Sequence, residues 1–122
     1  MNDREKIESV VQIYIDSMNE SNPNKVREAF HVNGMIVGYL RDNFMEMSVD
    51  DFARTVESQN PSPKEHGKEV AFEILSLEIE GRTAIVKVRD RYLGKTFVDS
   101  LNFIKEADDW EIYNKLFSVE EE

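Results

Sequence analysis

The sequence predicts a single α+β domain spanning residues 1–122, with helices in the first half of the chain and an antiparallel sheet in the second. Two periodicities predict it. Early apolar residues recur at helical spacing, whereas from Lys68 onward they alternate with polar ones at a period of two. Length supplies the third observation, because 122 residues can bury one core and leave no room for another.

Ile7, Val10, Val11, Tyr14, Ile15 and Met18 form one stripe of a first helix, which Asn2 and Glu5 open as a capping box. Asn22-Pro23 ends that helix and offers an N-cap, with proline at the first position, for a short second helix from about Pro23 to Phe30. Asn33-Gly34 reads as a turn, Met35 to Leu40 as a strand, Arg41-Asp42-Asn43 as a second turn and Phe44 to Met47 as a short returning strand. Ser48 and Asp51 mark another N-terminus, and Val49, Phe52, Ala53 and Val56 share a face of the third helix it opens. Ser58 to Gly67, with Pro61 and Pro63, is a loop. The strand-like run from Val70 to Ile79 keeps one parity only if Leu75 is a bulge. Glu80-Gly81 turns into Arg82 to Leu93, Gly94-Lys95 into Thr96 to Glu106, and Trp110 to Val119 is the last strand, giving a four-strand antiparallel meander. The closing Glu120-Glu121-Glu122 run is expected to be a solvated end.

Charge and composition exclude several classes of function. With 25 acidic and 15 basic residues, the net charge of -10 repels phosphate backbones and anionic lipid, so neither nucleic acid nor membrane is an expected partner. The absence of cysteine removes disulfides, thiolate metal sites and thiol nucleophiles. No signal-like start or long apolar stretch is present, so a cytoplasmic location is the expectation. His31 and His66 stand far apart in sequence, without partners at metal-ligand spacing, so no metal site is expected.

The order of elements, with His31 after the second helix, Gly38-Tyr39-Leu40, Phe52, Glu80-Gly81-Arg82-Thr83-Ala84, Phe97-Val98-Asp99-Ser100-Leu101 and Trp110-Glu111-Ile112-Tyr113-Asn114-Lys115, resembles the nuclear transport factor 2-like superfamily over nearly the whole chain. Within it the resemblance is to the lumazine-binding-like branch, beside SnoaL-like relatives. The resemblance implies a cone-shaped, strongly curved sheet closed on one side by helices, and a homodimer through the outer sheet face. It does not imply one chemistry, because the superfamily holds ketosteroid isomerase, scytalone dehydratase and polyketide cyclases as well as noncatalytic binding domains.

Strand alternation selects the candidate site. Ala84, Val86 and Val88 share a face with Asp90; Phe97, Leu101 and Phe103 share one with Asp99; and Trp110, Ile112 and Leu116 share one with Asn114. Three polar groups thus point into the concave side, where they need hydrogen-bond partners or a wet pocket. Asp90 or Asp99 is a candidate base, and Tyr14, Tyr39, His31 or Asn114 are candidate donors to a developing enolate. The alternative is that both carboxyls lie at strand ends and pair with Arg or Lys. His31 is read either as a pocket acid or base or as a residue closing the second helix, and His66 as a solvated loop residue. Tyr14, Tyr39 and Phe52 could contact an aromatic ligand or fill the core, and Met18, Met35, Met45 and Met47 could line a pocket or fill gaps. Lys115 is read as facing outward.

Three readings of function stay open at this point. They are a binding domain for a small apolar or aromatic ligand, a cofactor-independent isomerase, dehydratase or cyclase using an Asp base, and a noncatalytic association module. No cofactor is called for in any of them. Ile85, Val98, Ile104, Tyr113 and Phe117 have outward parity and form the expected dimer patch.

Overall fold

The computed structural model describes residues 1–120, so Glu121 and Glu122 of the acidic end lie outside the described residues. The elements run α1 (Asp3–Asn19), α2 (Pro23–Ala29), β1 (Phe30–Leu40), β2 (Asn43–Ser48), α3 (Val49–Glu57), β3 (Ala71–Glu80), β4 (Thr83–Tyr92), β5 (Lys95–Glu106) and β6 (Asp109–Val119). They form one curved sheet in the order β2-β1-β6-β5-β4-β3, with the helices packed on its concave side. The expected meander is present as β3 to β6. What local pattern did not reveal is that β1 joins β6 in parallel, which extends the sheet to six strands and puts β2 at an edge.

Local chemistry sets the helix ends. The Asn2 side chain accepts from the Glu5 N–H at 2.8 Å while Glu5 accepts from the Asn2 N–H at 3.1 Å, completing the capping box. Asn22 accepts from the N–H groups of Asn24 and Lys25, and Ser48 from that of Asp51. Asp3 in the first turn of α1 then accepts from both Trp110 Nε1 and Lys105 Nζ, which fastens the helix to the far end of the sheet. These two partners hold the Asp3 carboxyl below its usual range. At the other end of α1, Asn19 accepts from the backbone N–H groups of Lys64 and Val70 and so tethers the loop before β3.

Three register shifts decide which side chains enter the cone. One falls between Ile74 and Ser76, so Leu75 is indeed the bulge that lets Phe72, Ile74 and Leu77 pack against the core together. The second, on β6, has Ile112 opposite Phe103 but Asn114 opposite Asn102, leaving Tyr113 as an extra residue. The third lies on β1, where residues 31–34 span the gap between Phe30 opposite Ile112 and Met35 opposite Asn114.

The β6 bulge corrects the expected parity of the last strand. Trp110 and Ile112 are buried as expected, but beyond Tyr113 it is Lys115 and Phe117 that are buried, while Asn114 and Leu116 face outward. Phe117 therefore leaves the outer patch and Leu116 takes its place. Outward Ile85, Leu116 and Tyr113 are 54%, 49% and 39% exposed. Val98 and Ile104 are half-buried on the same face. Gly38 fits the new arrangement, because a Cβ there would stand 2.2 Å from the Phe117 carbonyl oxygen and 2.6 Å from its ring. The missing side chain is what lets the Phe117 ring lie against β1.

Candidate functional site

The buried carboxyls and their phenol

Asp90 on β4 and Asp99 on β5 are 2% and 0% exposed, and β-sheet alternation delivers both to the concave face beside Val88 and Leu101. Tyr14, from the core stripe of α1, donates its hydroxyl hydrogen to Asp99 Oδ2 at 2.6 Å. Burial and the two carboxyls raise the Tyr14 phenol well above its ordinary value, so it remains a donor. Asp90 is pushed up to about 9 by burial, then by its hydrogen bond with Asp99 and the repulsion of that carboxyl, while Lys115 acts in the opposite sense. One oxygen of each acid, Asp90 Oδ2 and Asp99 Oδ1, is buried without a protein donor. A proton on the raised Asp90, shared with Asp99, is what lets the two carboxyls hydrogen-bond to each other, beside the bond that Asp99 accepts from Tyr14.

The pocket beside them

Asp90 also lines a pocket of about 150 Å³ whose walls come from every layer of the fold. Met18 of α1, Met45 and Met47 of β2, Phe52 of α3, Phe97 of β5 and Phe117 of β6 supply its apolar surface. Lys115 enters from β6. Its Nζ lies 4.8 Å from the Phe52 ring centre, 5.0 Å from Tyr14 and 5.2 Å from Phe117, so the ammonium rests among three aromatic rings. Tyr92 is a further wall residue, and burial pushes its phenol up to about 12. The proton held on Asp90 and the nearby Lys115 both limit the negative charge that this apolar interior has to bury.

Where the sequence candidates fall

Of the residues singled out from sequence, Tyr14, Phe52, Asp90 and Asp99 converge here, with Tyr14 and Asp99 behind the pocket wall and Phe52 and Asp90 on it. Met18, Met45 and Met47 join them. The others do not. Asn114 is turned outward by the Tyr113 bulge, where its side-chain oxygen accepts from Asn102 at 2.6 Å. Tyr39 is 52% exposed and packs edge-on against exposed Phe44, because inward parity on β1 belongs to Ile36, Gly38 and Leu40. Met35 shares the outward register of Asn114. His31 sits in the irregular start of β1, against Tyr113 and away from the pocket. Its Nδ1 accepts from the Asn33 N–H at 3.0 Å, so Nε2 carries the hydrogen that meets Glu106 at 2.8 Å. His66 is exposed. Lys115, expected on the outer face, is instead buried on the pocket wall.

His31, Glu106 and Glu111 bring one potential ligand atom each within 4.8 Å of one another. A cation at His31 Nε2 would have to displace the hydrogen there and move a proton to Nδ1, breaking the Asn33 bond. Among the described residues no helix is long and apolar enough to cross a membrane.

Comparison with known proteins

The curved six-stranded sheet closed by three helices is the cone fold of nuclear transport factor 2-like structures. The chain belongs to the family described as "Putative lumazine-binding", whose model matches residues 2–118. It is similar in fold to an NTF2-like protein of unknown function from Silicibacter pomeroyi, at 19% identity and a TM-score of 0.85, with 98% of this chain and 100% of that one covered. A second NTF2-like protein of unknown function, from Methylobacillus flagellatus, is 24% identical with a TM-score of 0.85, covering 98% and 93%. A ketosteroid isomerase-like protein from Erwinia carotovora atroseptica is 17% identical with a TM-score of 0.71 over 100% of both chains. No curated protein matches the sequence at a significant level.

Proposed function

We propose that this chain is a binding domain for a small, largely apolar molecule of about one ring, held between the helices and the concave sheet. The observation that carries the reading is the apolar pocket of about 150 Å³ with only a few polar groups converging on it, Asp90 and Lys115 among them. An apolar cavity of about that volume accommodates benzene, and sparse, fixed polar groups in an apolar wall are the usual make-up of a ligand site. Toluene is the direct probe. Saturable shifts of pocket resonances in an NMR titration, lost when Leu40→Trp fills the space, support the reading. No saturable binding of toluene overturns it.

The raised Asp90 favours a second reading, a cofactor-independent isomerase, dehydratase or cyclase. A carboxyl displaced to about 9 and exposed to the pocket is an acid at neutral pH and, once ionised, a strong base. Deuterium uptake at the carbon next to the carbonyl of cyclohexanone, faster with the protein as pH rises and abolished by Asp90→Asn, supports this reading. Uptake at the buffer rate throughout removes it. Association of two copies through Ile85, Leu116 and Tyr113 completes the proposal, since this exposed face carries apolar side chains together with Lys87 and Arg89 of β4 and acidic Glu73 and Glu78 of β3.

A further inference from the structure

Lys115 poses a problem that the pocket alone does not solve. The residue is 5% exposed, and its ammonium brings three N–H donors into the interior. Among the described residues no oxygen accepts from it and no carboxylate lies within 4.0 Å; its close neighbours are the rings of Phe52, Tyr14 and Phe117. Ring faces attract the charge but supply no oxygen acceptor, and Nζ, unlike Asp90 Oδ2 and Asp99 Oδ1, is not sealed off, so its donors stay open to the pocket. The side chain stands on the pocket wall, so the acceptor it lacks can come from whatever enters there.

Charge and size then narrow what that acceptor belongs to. The Asp90 carboxyl is already on the pocket wall and Asp99 lies buried behind it. An anionic ligand would add negative charge beside these two acids, and the chain's net charge of -10 opposes its approach. A neutral carbonyl oxygen takes the Lys115 donors without adding charge to the interior. The volume of about 150 Å³ fits a single ring, and Phe52, Phe97, Phe117 and the three methionines suit a hydrocarbon body.

We propose that the pocket takes a neutral, single-ring carbonyl compound, a cyclic ketone, lactone or lactam, whose oxygen accepts a hydrogen bond from Lys115 Nζ. This rests on the reading of the pocket as a ligand site. Lys115 is the residue that distinguishes such a compound from a hydrocarbon of the same shape.

The test uses the full chain, with cyclohexanone and methylcyclohexane as probes matched in heavy atoms. Replacing Lys115→Met is expected to weaken cyclohexanone at least tenfold relative to methylcyclohexane, roughly what losing one hydrogen bond to a charged donor does. An unchanged ratio overturns the proposal. Independently of any variant, the carbonyl carbon of bound 13C-labelled cyclohexanone is expected to move downfield of its position in hydrocarbon solvent, and the absence of that movement overturns it as well. Tighter binding of benzoate than of cyclohexanone at pH 7 overturns the assignment to a neutral ligand. If toluene and methylcyclohexane bind but the ketone shows no dependence on Lys115, only this inference falls; if none of the probes binds, the pocket reading falls with it.

Discussion

Replacing Asp90→Asn is expected to stabilise the protein, by an amount that grows with pH. The folded chain holds a proton on Asp90 up to about pH 9, whereas the unfolded chain releases it near the ordinary value of 3.8. Folding therefore binds a proton throughout that window. The contribution of Asp90 is fully favourable below 3.8 and is lost progressively as pH rises towards about 9, with a slope of about 1.4 kcal/mol per pH unit. At pH 7 that amounts to roughly 4 kcal/mol as a ceiling, since local relaxation and the coupling to Asp99 reduce it. Asparagine never pays this penalty, and its amide can donate to Asp99 in place of the shared proton. Urea denaturation of both proteins at pH 5, 7 and 8.5, followed by Trp110 fluorescence, measures the difference directly. The expected result is a gap that widens with pH at up to about 1.4 kcal/mol per unit, from at most roughly 2 kcal/mol at pH 5 to at most roughly 6 kcal/mol at pH 8.5. A gap independent of pH, or a variant less stable than the parent at pH 8.5, refutes the shared-proton account of the pair.

Three further outcomes rest on the packing around the pocket and on the outer sheet face. Tyr14→Phe removes the 2.6 Å bond to Asp99 and leaves a buried carboxyl oxygen without its donor, so chemical denaturation should show a loss of about 2 kcal/mol. Gly38→Ala forces Phe117 off β1, because the new Cβ overlaps backbone as well as ring; a loss of more than about 2 kcal/mol is expected, with toluene affinity reduced in those molecules that still fold. Leu116→Asp puts a charge into the outer patch and should shift sedimentation from dimer to monomer with toluene binding intact. A parent protein that sediments as a 14.2 kDa monomer at micromolar concentration removes that interface.

Legibility in the sequence followed the reach of each signal. The helix starts were readable because Asn2, Asn22 and Ser48 act within a few residues of themselves. Asp90 and Asp99 were readable because β4 and β5 alternate without interruption through them. Asn114, Lys115 and Phe117 were not, since their orientation depends on one extra residue at Tyr113, and that bulge is visible only in the register against β5 and β1. Leu116 and Phe117 are equally apolar, so hydrophobicity could not choose between the two parities. Tyr39 suffered from a similar ambiguity, as Val37-Tyr39 and Ile36-Gly38-Leu40 are both acceptable apolar sets until Gly38 is seen beneath the Phe117 ring. His31 was misdirected by its place next to α2, whereas its partner Glu106 comes from the end of β5.

The parallel pairing of β1 with β6 also governs the order of events as the chain is made. Residues 30–40 leave the ribosome well before the strand of residues 109–119, which is their second neighbour. Until then β1 has a bare edge, besides that of β2, and the hairpin has an apolar face with no sheet to complete it, a combination that invites pairing with other chains. The pocket walls contributed by Met45, Met47 and Lys115 come together only when β6 has joined β1. Nascent chains stalled before residue 109 should therefore need chaperone shielding, and folding should be slower than for a helical bundle of this length because so much of the sheet closes over long sequence separations.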